Sequence, residues 1–224
     1  LVTGSVDGNV KEEIPNSIFD GSAVVIVSPT DSYRYVVVGK EEGTYGLEVN
    51  FVENAEATPF NSNDIPIIPG EIHQYNIDFD TISQGGKGVD VQVDFDGDGI
   101  FELNIPADSD FEFVPATINF DPDTLNLKSK RKWVTAYIEL PEVYDVTIIN
   151  VSTVNLWYEG TNVPAEWGDV QNGTLMVKFE GKAVQNLFPG LVDAAIIAVS
   201  GELQDGTPLG GNDTIRVIEK GKPK

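Results

Sequence analysis

The stretch with the clearest chemistry is an acidic ladder, Asp94-Phe95-Asp96-Gly97-Asp98-Gly99. Its three aspartates occupy every second position, and a glutamate follows four residues after the last of them. Calcium takes about six to eight hard oxygen ligands, and alternating carboxylates on a tight turn supply them from a short segment. A glycine stands where such a loop must turn sharply, and the next residue is expected to offer its carbonyl. The pattern predicts a calcium site formed by Asp94, Asp96, Asp98, Ile100 and Glu102.

The segments that flank this ladder favour a β-hairpin over an EF-hand. An EF-hand has a bidentate glutamate at the twelfth loop position, but here that position is Ile105, inside an apolar segment. Both flanks alternate as strands, and the loop reads D-x-D-x-D-G-x-x-E, which resembles the calcium turns between propeller strands of integrin α-subunits. The alternative is an acidic turn without metal, although repulsion between the carboxylates favours a cation. We expect the ion to be structural, and magnesium to fit less well.

The elements that must position this loop are strands. Turn residues recur about every ten positions, which is the spacing expected of a sandwich or barrel. A helix of two turns is predicted only within residues 180–188, and residues 1–20 are expected to be poor in strands. Alternation or β-branched runs predict strands at Ala23–Val27, Tyr35–Val38, Thr44–Phe51, His73–Phe79, Val89–Val93, Ala116–Phe120, Trp133–Leu140, Val146–Ile149, Val154–Tyr158, Leu175–Phe179, Ala194–Gly201 and Thr214–Ile218.

The distribution of charge favours two domains. Residues 1–111 hold 21 acidic and 4 basic side chains, whereas residues 112–224 hold 15 and 10. A polar segment, Pro106–Asp110, lies between two sets of strands. We therefore predict an all-β chain of two antiparallel β-sandwich domains in tandem. The first, residues 1–106, carries the calcium hairpin, and the second, residues 113–224, is immunoglobulin-like.

The composition excludes several functions. The chain of 224 residues has 36 acidic and 14 basic side chains, a net charge of −22. A surface this negative repels nucleic acids and anionic membranes, so neither is expected as a partner. No cysteine is present, so disulfides are impossible, and with a single histidine, zinc and haem sites are close to excluded. No apolar run is long enough to span a bilayer. Because the sequence starts without methionine or a signal peptide, we expect either a processed chain or part of a longer one.

Two tryptophans and the single histidine are further candidates. His73 shares the inward face of its strand with Tyr75, and a core position is favoured over a catalytic one. Trp157 and Trp167 are candidate sugar contacts, with packing as the favoured alternative. No sequence signature of a hydrolase or a nucleotide-binding loop is present, and no catalytic activity is expected.

Partner contacts and modification have weaker signals. Lys128–Lys132 is the only basic cluster, and it is expected to meet an acidic part of this protein or a neighbouring subunit rather than nucleic acid. Three N-x-S/T sequons make glycosylation a candidate at Asn150, Asn172 and Asn212, the last two in turn-like contexts.

Four segments carry a resemblance to known proteins: Ala116–Lys130, Trp133–Pro141, Leu175–Phe179 and Gly201–Pro208. They are similar to a C-terminal β-sandwich module of archaeal and bacterial cell-surface and secreted proteins. Residues 21–105 resemble the pre-peptidase C-terminal domain that often precedes it. The resemblance implies a non-catalytic extracellular module.

Together these signals predict a calcium-stabilised structural or accessory module of a cell-surface or secreted protein, in contact with neighbouring domains or subunits. Two alternatives stay open. In one, the chain is a self-assembling subunit of a filament, pilus or surface layer that adds strands to a neighbour's sheet. In the other, it is a carbohydrate-binding or adhesion module with glycans as its ligands.

Overall fold

The N-terminal part of the chain forms two small hairpins. The computed structural model describes residues 3–6, 8–27, 33–53, 56–86, 88–105 and 113–220, and it divides the chain into two compact units, Leu1–Arg34 and Tyr35–Lys224. In the first unit β1 (Thr3–Val6) pairs with β2 (Asn9–Glu12), and β3 (Ser17–Phe19) pairs with β4 (Val24–Ile26), both antiparallel. The expectation that residues 1–20 are poor in strands is wrong. The segment has few apolar residues, so pairing between backbones forms these strands without a strong hydrophobic alternation.

The second unit begins with strands that carry the acidic ladder. Four of them form one sheet and the other two a long hairpin. The sheet has the order β10-β9-β8-β5, and the hairpin is β6-β7. Their bounds, with those of one short helix, are β5 (Arg34–Val38), β6 (Gly43–Glu53), β7 (Glu56–Ile67), β8 (Ile72–Ile77), α1 (Phe79–Ser83), β9 (Val89–Asp94) and β10 (Leu103–Ile105).

A hydrophobic cluster joins this sheet to the hairpin. Tyr75 from β8 and Val91 and Val93 from β9 are almost fully buried, and they share the cluster with Ile65 from β7. The inward positions of β9 alternate with less buried ones, as expected for a half-buried strand. The cluster also includes Ala198, from the later part of the chain. Contacts from distant segments therefore stabilise the sheet that carries the acidic loop.

The rest of the second unit is a β-sandwich. One sheet has the order β11-β20-β19-β15-β16, with β13 also paired to β20, and the other has the order β12-β14-β18-β17. The strand pairs of these two sheets are antiparallel except the short parallel ones that β11 and β13 make with β20. The bounds are β11 (Val114–Pro115), β12 (Thr117–Asp121), β13 (Thr124–Asn126), β14 (Trp133–Glu139), β15 (Ile149–Tyr158), β16 (Thr161–Pro164), β17 (Trp167–Gln171), β18 (Thr174–Glu180), α2 (Gly181–Asn186), β19 (Ala194–Leu203) and β20 (Pro208–Ile218).

The two sheets bury one shared core. Phe120, Ile138 and Phe179 project from the four-stranded sheet, and Leu156 and Ile197 from the facing one, and none of these side chains is accessible to solvent. Burying a large apolar side chain contributes about 1.5–3 kcal/mol each, so this core dominates the stability of the sandwich. The prediction of an all-β, antiparallel sandwich fold is confirmed. The proposed domain boundary falls on residues 106–112, outside the described residues, and the two-domain division stays a prediction.

Two predicted strand segments differ from the structure because an aspartate caps a helical turn. Val146–Ile149 begins as a 3-10 helix, Val146–Ile148, and the side chain of Asp145 accepts a hydrogen bond from its first turn. The strand predicted to reach residue 79 ends at residue 77, where Asp78 caps α1 in the same way. An N-cap aspartate satisfies a free backbone N–H group, and this local effect overrides the apolar pattern. The short helix predicted within residues 180–188 is confirmed as α2.

Candidate metal centre

The acidic ladder lies in the hairpin loop between β9 and β10. Asp94 is the last residue of β9, and Glu102 directly precedes β10. The two strands pair in antiparallel register, with Val93 opposite Leu103. The loop is thus held at both ends by one strand pair, as the alternation on its flanks predicts, and no helix flanks it.

Four carboxylates converge in this loop. One oxygen from each of Asp94, Asp96, Asp98 and Glu102 lies within 4.8 Å of the others. Asp94 is fully buried and Glu102 is 9% exposed, whereas Asp96 is half-buried and Asp98 is exposed. The cluster therefore has two oxygens fixed in the protein and two at the surface. This donor set of hard oxygens could hold a metal ion.

Backbone N–H groups orient these carboxylates. The N–H groups of Gly97 and Gly99 donate to the two oxygens of Asp94, at 2.6 and 2.8 Å. The N–H of Phe95 donates to Oε2 of Glu102, at 2.8 Å. Further along, the backbone N–H of Asp98 donates to Asp96. These bonds hold the loop in a conformation in which its carboxylates face each other.

Glycine is required at two positions of the loop. Gly97 and Gly99 have φ of 75° and 90°, values that residues with a Cβ rarely adopt. A Cβ on Gly97 would also lie 2.6 Å from the carbonyl oxygen of Gly70, in the turn between β7 and β8. The backbone of the loop thus packs directly on that turn. Sequence reasoning identified the sharp turn at Gly99 but not the close approach at Gly97.

Burial and mutual repulsion disfavour ionisation of the cluster in the absence of a cation. Burial, together with the charges of Asp96 and Asp94, raises the pKa of Glu102 to about 8, against a lowering effect of the Phe95 N–H. Burial and the neighbouring charges of Asp98 and Asp94 raise the pKa of Asp96 to about 6. A divalent cation would supply the missing positive charge and favour the ionised forms.

The loop is anchored to the sandwich through two hydrophobic residues. The Phe95 ring covers Gly210 of β20, where an added Cβ would lie 2.2 Å from the ring, and the Asn212 amide donates to the Phe95 carbonyl. The Ile100 side chain contacts Gly160, in the turn between β15 and β16. Because these partners are more than 50 residues away in the chain, no local sequence signal identifies them.

A buried polar network lies on the neighbouring strand. His73 and Glu71 are almost fully buried, and His73 Nε2 lies 3.3 Å from Glu71 Oε1 without the alignment of a hydrogen bond. The hydroxyl of Tyr45 lies 2.8 Å from His73 Nδ1 and also contacts the hydroxyl of Tyr75. Burial raises the pKa of both tyrosines. The core position expected for His73 agrees with this placement, and Glu71 was not identified from the sequence.

The two tryptophans considered as sugar contacts lie on different sheets. Trp157 on β15 is half-buried, and its Nε1 donates to the Ser200 hydroxyl at 2.8 Å. Trp167 on β17 is 42% exposed. The structure therefore does not bring them together on one sheet face, and only Trp167 offers an exposed ring. Their role as sugar contacts stays a prediction.

The three sequon asparagines have different surroundings. Asn172 is exposed in the turn before β18, with a φ of 53°. Asn150 is half-buried, and its side-chain oxygen accepts from Ser152. The Nδ2 of Asn212 donates to Phe95, and this is the atom that a glycan would modify. Asn172 is thus the most accessible of the three, and glycosylation stays a prediction for all of them.

Comparisons with known proteins provide little further information. No family model matches the chain, and no curated protein matches it. A solved structure described as "Structural insight into host cell surface retention of a 1.5-MDa bacterial ice-binding adhesin" aligns at 15% identity with a TM-score of 0.28. The alignment covers 84% of this chain and spans 58% of that structure's length. At this TM-score the likeness carries no argument. Neither helix of the second unit, nor any other among the described residues, is long and apolar enough to cross a membrane.

Proposed function

We propose that the β9–β10 loop binds calcium and that the ion stabilises a non-catalytic structural or accessory module at the cell surface or in a secreted protein. The observation that carries the proposal is the convergence of four carboxylates within 4.8 Å, two of them buried. Buried carboxylates are rare without a partner, and no basic side chain forms an ion pair with these four among the described residues. A bound cation is the partner that this arrangement needs.

A short loop with several carboxylates favours calcium over magnesium, because calcium accepts an irregular shell of about six to eight oxygens whereas magnesium demands near-ideal octahedral geometry. Calcium–oxygen distances are about 2.3–2.6 Å, so oxygens on opposite sides of the ion lie up to about 5 Å apart. The corresponding span around magnesium is about 4.2 Å, because its ligands lie at about 2.0–2.1 Å. The four carboxylate oxygens all lie within 4.8 Å of one another, a span that a calcium shell accommodates. The carbonyl of Ile100 and water would complete the coordination.

The proposed role of the ion is to fix the position of the loop on the sandwich. Its outermost ligands, Asp94 and Glu102, enclose the segment that carries Phe95, which packs on Gly210, and Ile100, which packs near Gly160. An ion that joins the two ends of the loop would therefore also stabilise those long-range contacts. Extracellular calcium modules bind in the range of about 10⁻⁴–10⁻³ M, which suits a protein exposed to millimolar calcium.

The test is calorimetric titration of the whole chain with Ca²⁺ and Mg²⁺, together with thermal unfolding in calcium and in excess EGTA. At a hundredfold excess over Kd, binding adds about 2.7 kcal/mol, which is roughly 5–10 °C in Tm for a chain of this size. Asp96→Asn is expected to remove most of this gain. Asp169→Asn removes one exposed charge on β17 and serves as the matched control. An unchanged Tm in EGTA, with no metal found by elemental analysis, would exclude the site.

A second candidate function, self-assembly by strand addition, is favoured by an exposed apolar edge. Within the described residues β5 is an edge strand of its sheet, and Val36 and Val38 on it are 54% and 43% exposed. The first unit also exposes apolar side chains, including those of Val10, Ile18 and Val25. Unpaired apolar edges accept strands from other chains, whereas charged edges do not.

Self-assembly predicts that a charge on this edge blocks association. Size-exclusion chromatography and negative-stain imaging of the native chain should show oligomers or filaments, and Val36→Lys should reduce them. Val143→Lys is the control, because Val143 is highly exposed but lies outside the strands. A monodisperse monomer at all concentrations would argue against this function and leave the calcium proposal unaffected.

A further inference from the structure

A basic cavity lies at one end of the sandwich, within the second unit. It has a volume of about 680 Å³ and is lined mainly by β13 and the turn after it, by Gly181 and Gln185 of α2 and by Lys220, which follows β20. Among the described residues, its charged lining residues are Lys128, Lys130, Arg131 and Lys220, and none of the lining residues is acidic. The chain as a whole has 36 acidic and only 14 basic residues. A cavity whose charged residues are all basic is therefore not expected from the overall excess of acidic residues.

The backbone around these cations is held in place by two amide side chains. The Asn126 Oδ1 accepts from the backbone N–H groups of Lys128 and Lys220, and its Nδ2 donates to the Lys220 carbonyl. Gln185 on α2 is 6% exposed, and its Nε2 donates to the carbonyls of Asn126 and Ser129. Residues nearly a hundred positions apart are thus joined at one site. The backbone that carries these cations is thus fixed before a ligand binds, which leaves only the side chains to be ordered on binding.

Acidic side chains of the protein neutralise these four cations only weakly. Lys128 lies 3.3 Å from Glu219, but both side chains are about half exposed, and exposed pairs of this kind contribute little. The side chains of Lys130, Arg131 and Lys220 have no ion pair among the residues that the structure describes. A negatively charged ligand would relieve the repulsion between these like charges.

We propose that this cavity binds a small polyanion with at least two carboxylate or sulfate groups. Ligand sites of about 300–1,000 Å³ take molecules of several such groups, and a single oxyanion would leave most of this volume empty. The planar guanidinium of Arg131 suits bidentate contact with a carboxylate or a sulfate. Nucleic acid is disfavoured, because the charge of −22 repels a long phosphate backbone outside the cavity. The anionic groups come either from a free small molecule or from an acidic sugar chain.

The test is calorimetric titration of the full chain, in calcium, with three probes: citrate, trigalacturonate and the neutral sugar maltotriose. At about 20 mM NaCl we expect at least one anionic probe to bind, with affinity that falls at higher salt, and maltotriose not to bind. Equal binding of both anions indicates a free small polyanion as the source. Preference for trigalacturonate indicates an acidic sugar chain. Absence of binding by both anions overturns the proposal.

Variants locate the binding at the cavity. Lys130→Gln combined with Arg131→Gln changes only exposed side chains and is expected to weaken anion binding roughly tenfold, whereas Lys11→Gln, in the first unit, should change it less than about twofold. Amide NMR signals of residues 126–131 and 220 should shift on titration. Equal affinity of the double variant and the native chain would show a non-specific effect of charge and overturn the proposal. Calcium binding is measured on the same samples, so failure here is distinguishable from failure of the calcium site.

Discussion

Raising the pH is expected to destabilise the metal-free protein, because the pKa of Glu102 is raised to about 8 by burial and by neighbouring carboxylates. In the unfolded chain this group ionises near 4.5. Between these two values the folded state keeps a proton that the unfolded state releases, so the free energy of unfolding falls as pH rises. Bound calcium reverses the direction of this pH dependence. The ion requires ionised carboxylates, so its contribution is present at high pH and is lost as pH falls.

The magnitude follows from the shift in pKa. A shift from 4.5 to about 8 corresponds to about 3.5 kcal/mol between pH 5 and pH 8 for one isolated group. Solvent screening and sharing of the proton with Asp96 reduce this to about 2 kcal/mol. For a chain of 224 residues the corresponding change in Tm is roughly 5 °C. Asp96 adds an effect of the same sign at lower pH, since its pKa is raised to about 6.

The assay is thermal unfolding from pH 5 to pH 8, in EGTA and in calcium. The Glu102→Gln variant isolates the effect, because glutamine keeps an oxygen to accept the Phe95 N–H but cannot ionise. In EGTA this variant should be more stable than the native chain at pH 8 and equal to it near pH 5. Glu202→Gln, at an exposed position on β19, controls for the loss of one negative charge.

Two results would refute the reasoning. If the native chain and Glu102→Gln show the same pH dependence in EGTA, ionisation of Glu102 is not what lowers the stability of the protein at high pH. If calcium raises Tm as much at pH 5 as at pH 8, the bound ion does not depend on these carboxylates being ionised.

Three substitutions test the contacts that hold the loop. Gly210→Ala places a Cβ 2.2 Å from the Phe95 ring and should destabilise the protein by about 2–3 kcal/mol in urea unfolding. Gly97→Ala should cost about 1–2 kcal/mol and lower the calcium affinity measured by titration, since it combines a φ of 75° with a clash on the β7–β8 turn. Tyr45→Phe removes a hydrogen-bond partner of the buried His73 and should cost about 1–3 kcal/mol by the same urea assay.

Matched substitutions distinguish these causes from a general effect of the mutation. Gly43→Ala, at the first residue of β6, meets no atom within 4 Å and has an ordinary φ, so it should be nearly neutral. Gly99→Ala has the unfavourable φ of 90° without a clash, and it should cost less than Gly97→Ala. Equal costs at positions 97 and 99 would mean that the packing on the β7–β8 turn contributes nothing.

The sequence alone was sufficient for the features that depend on neighbouring residues. Period-two alternation predicted β9, β14 and β18, because each side chain of a strand points opposite to the next. The spacing of Asp94, Asp96 and Asp98 predicted a turn that brings carboxylates together, because alternating carboxylates on a tight turn can face one centre and glycine permits the turn. The β-branched run at residues 146–149 was misleading, because a capping aspartate stabilises a helical turn there.

Only the tertiary structure decided which groups are buried and which distant residues meet. The burial of Glu102, the contact of Phe95 with Gly210 and the position of Lys220 beside the turn after β13 all join segments far apart in the chain. A residue type and its neighbours determine local backbone preference, but burial depends on which other backbone comes close. That choice is made by the packing of the two sheets, which has no local signature in the sequence.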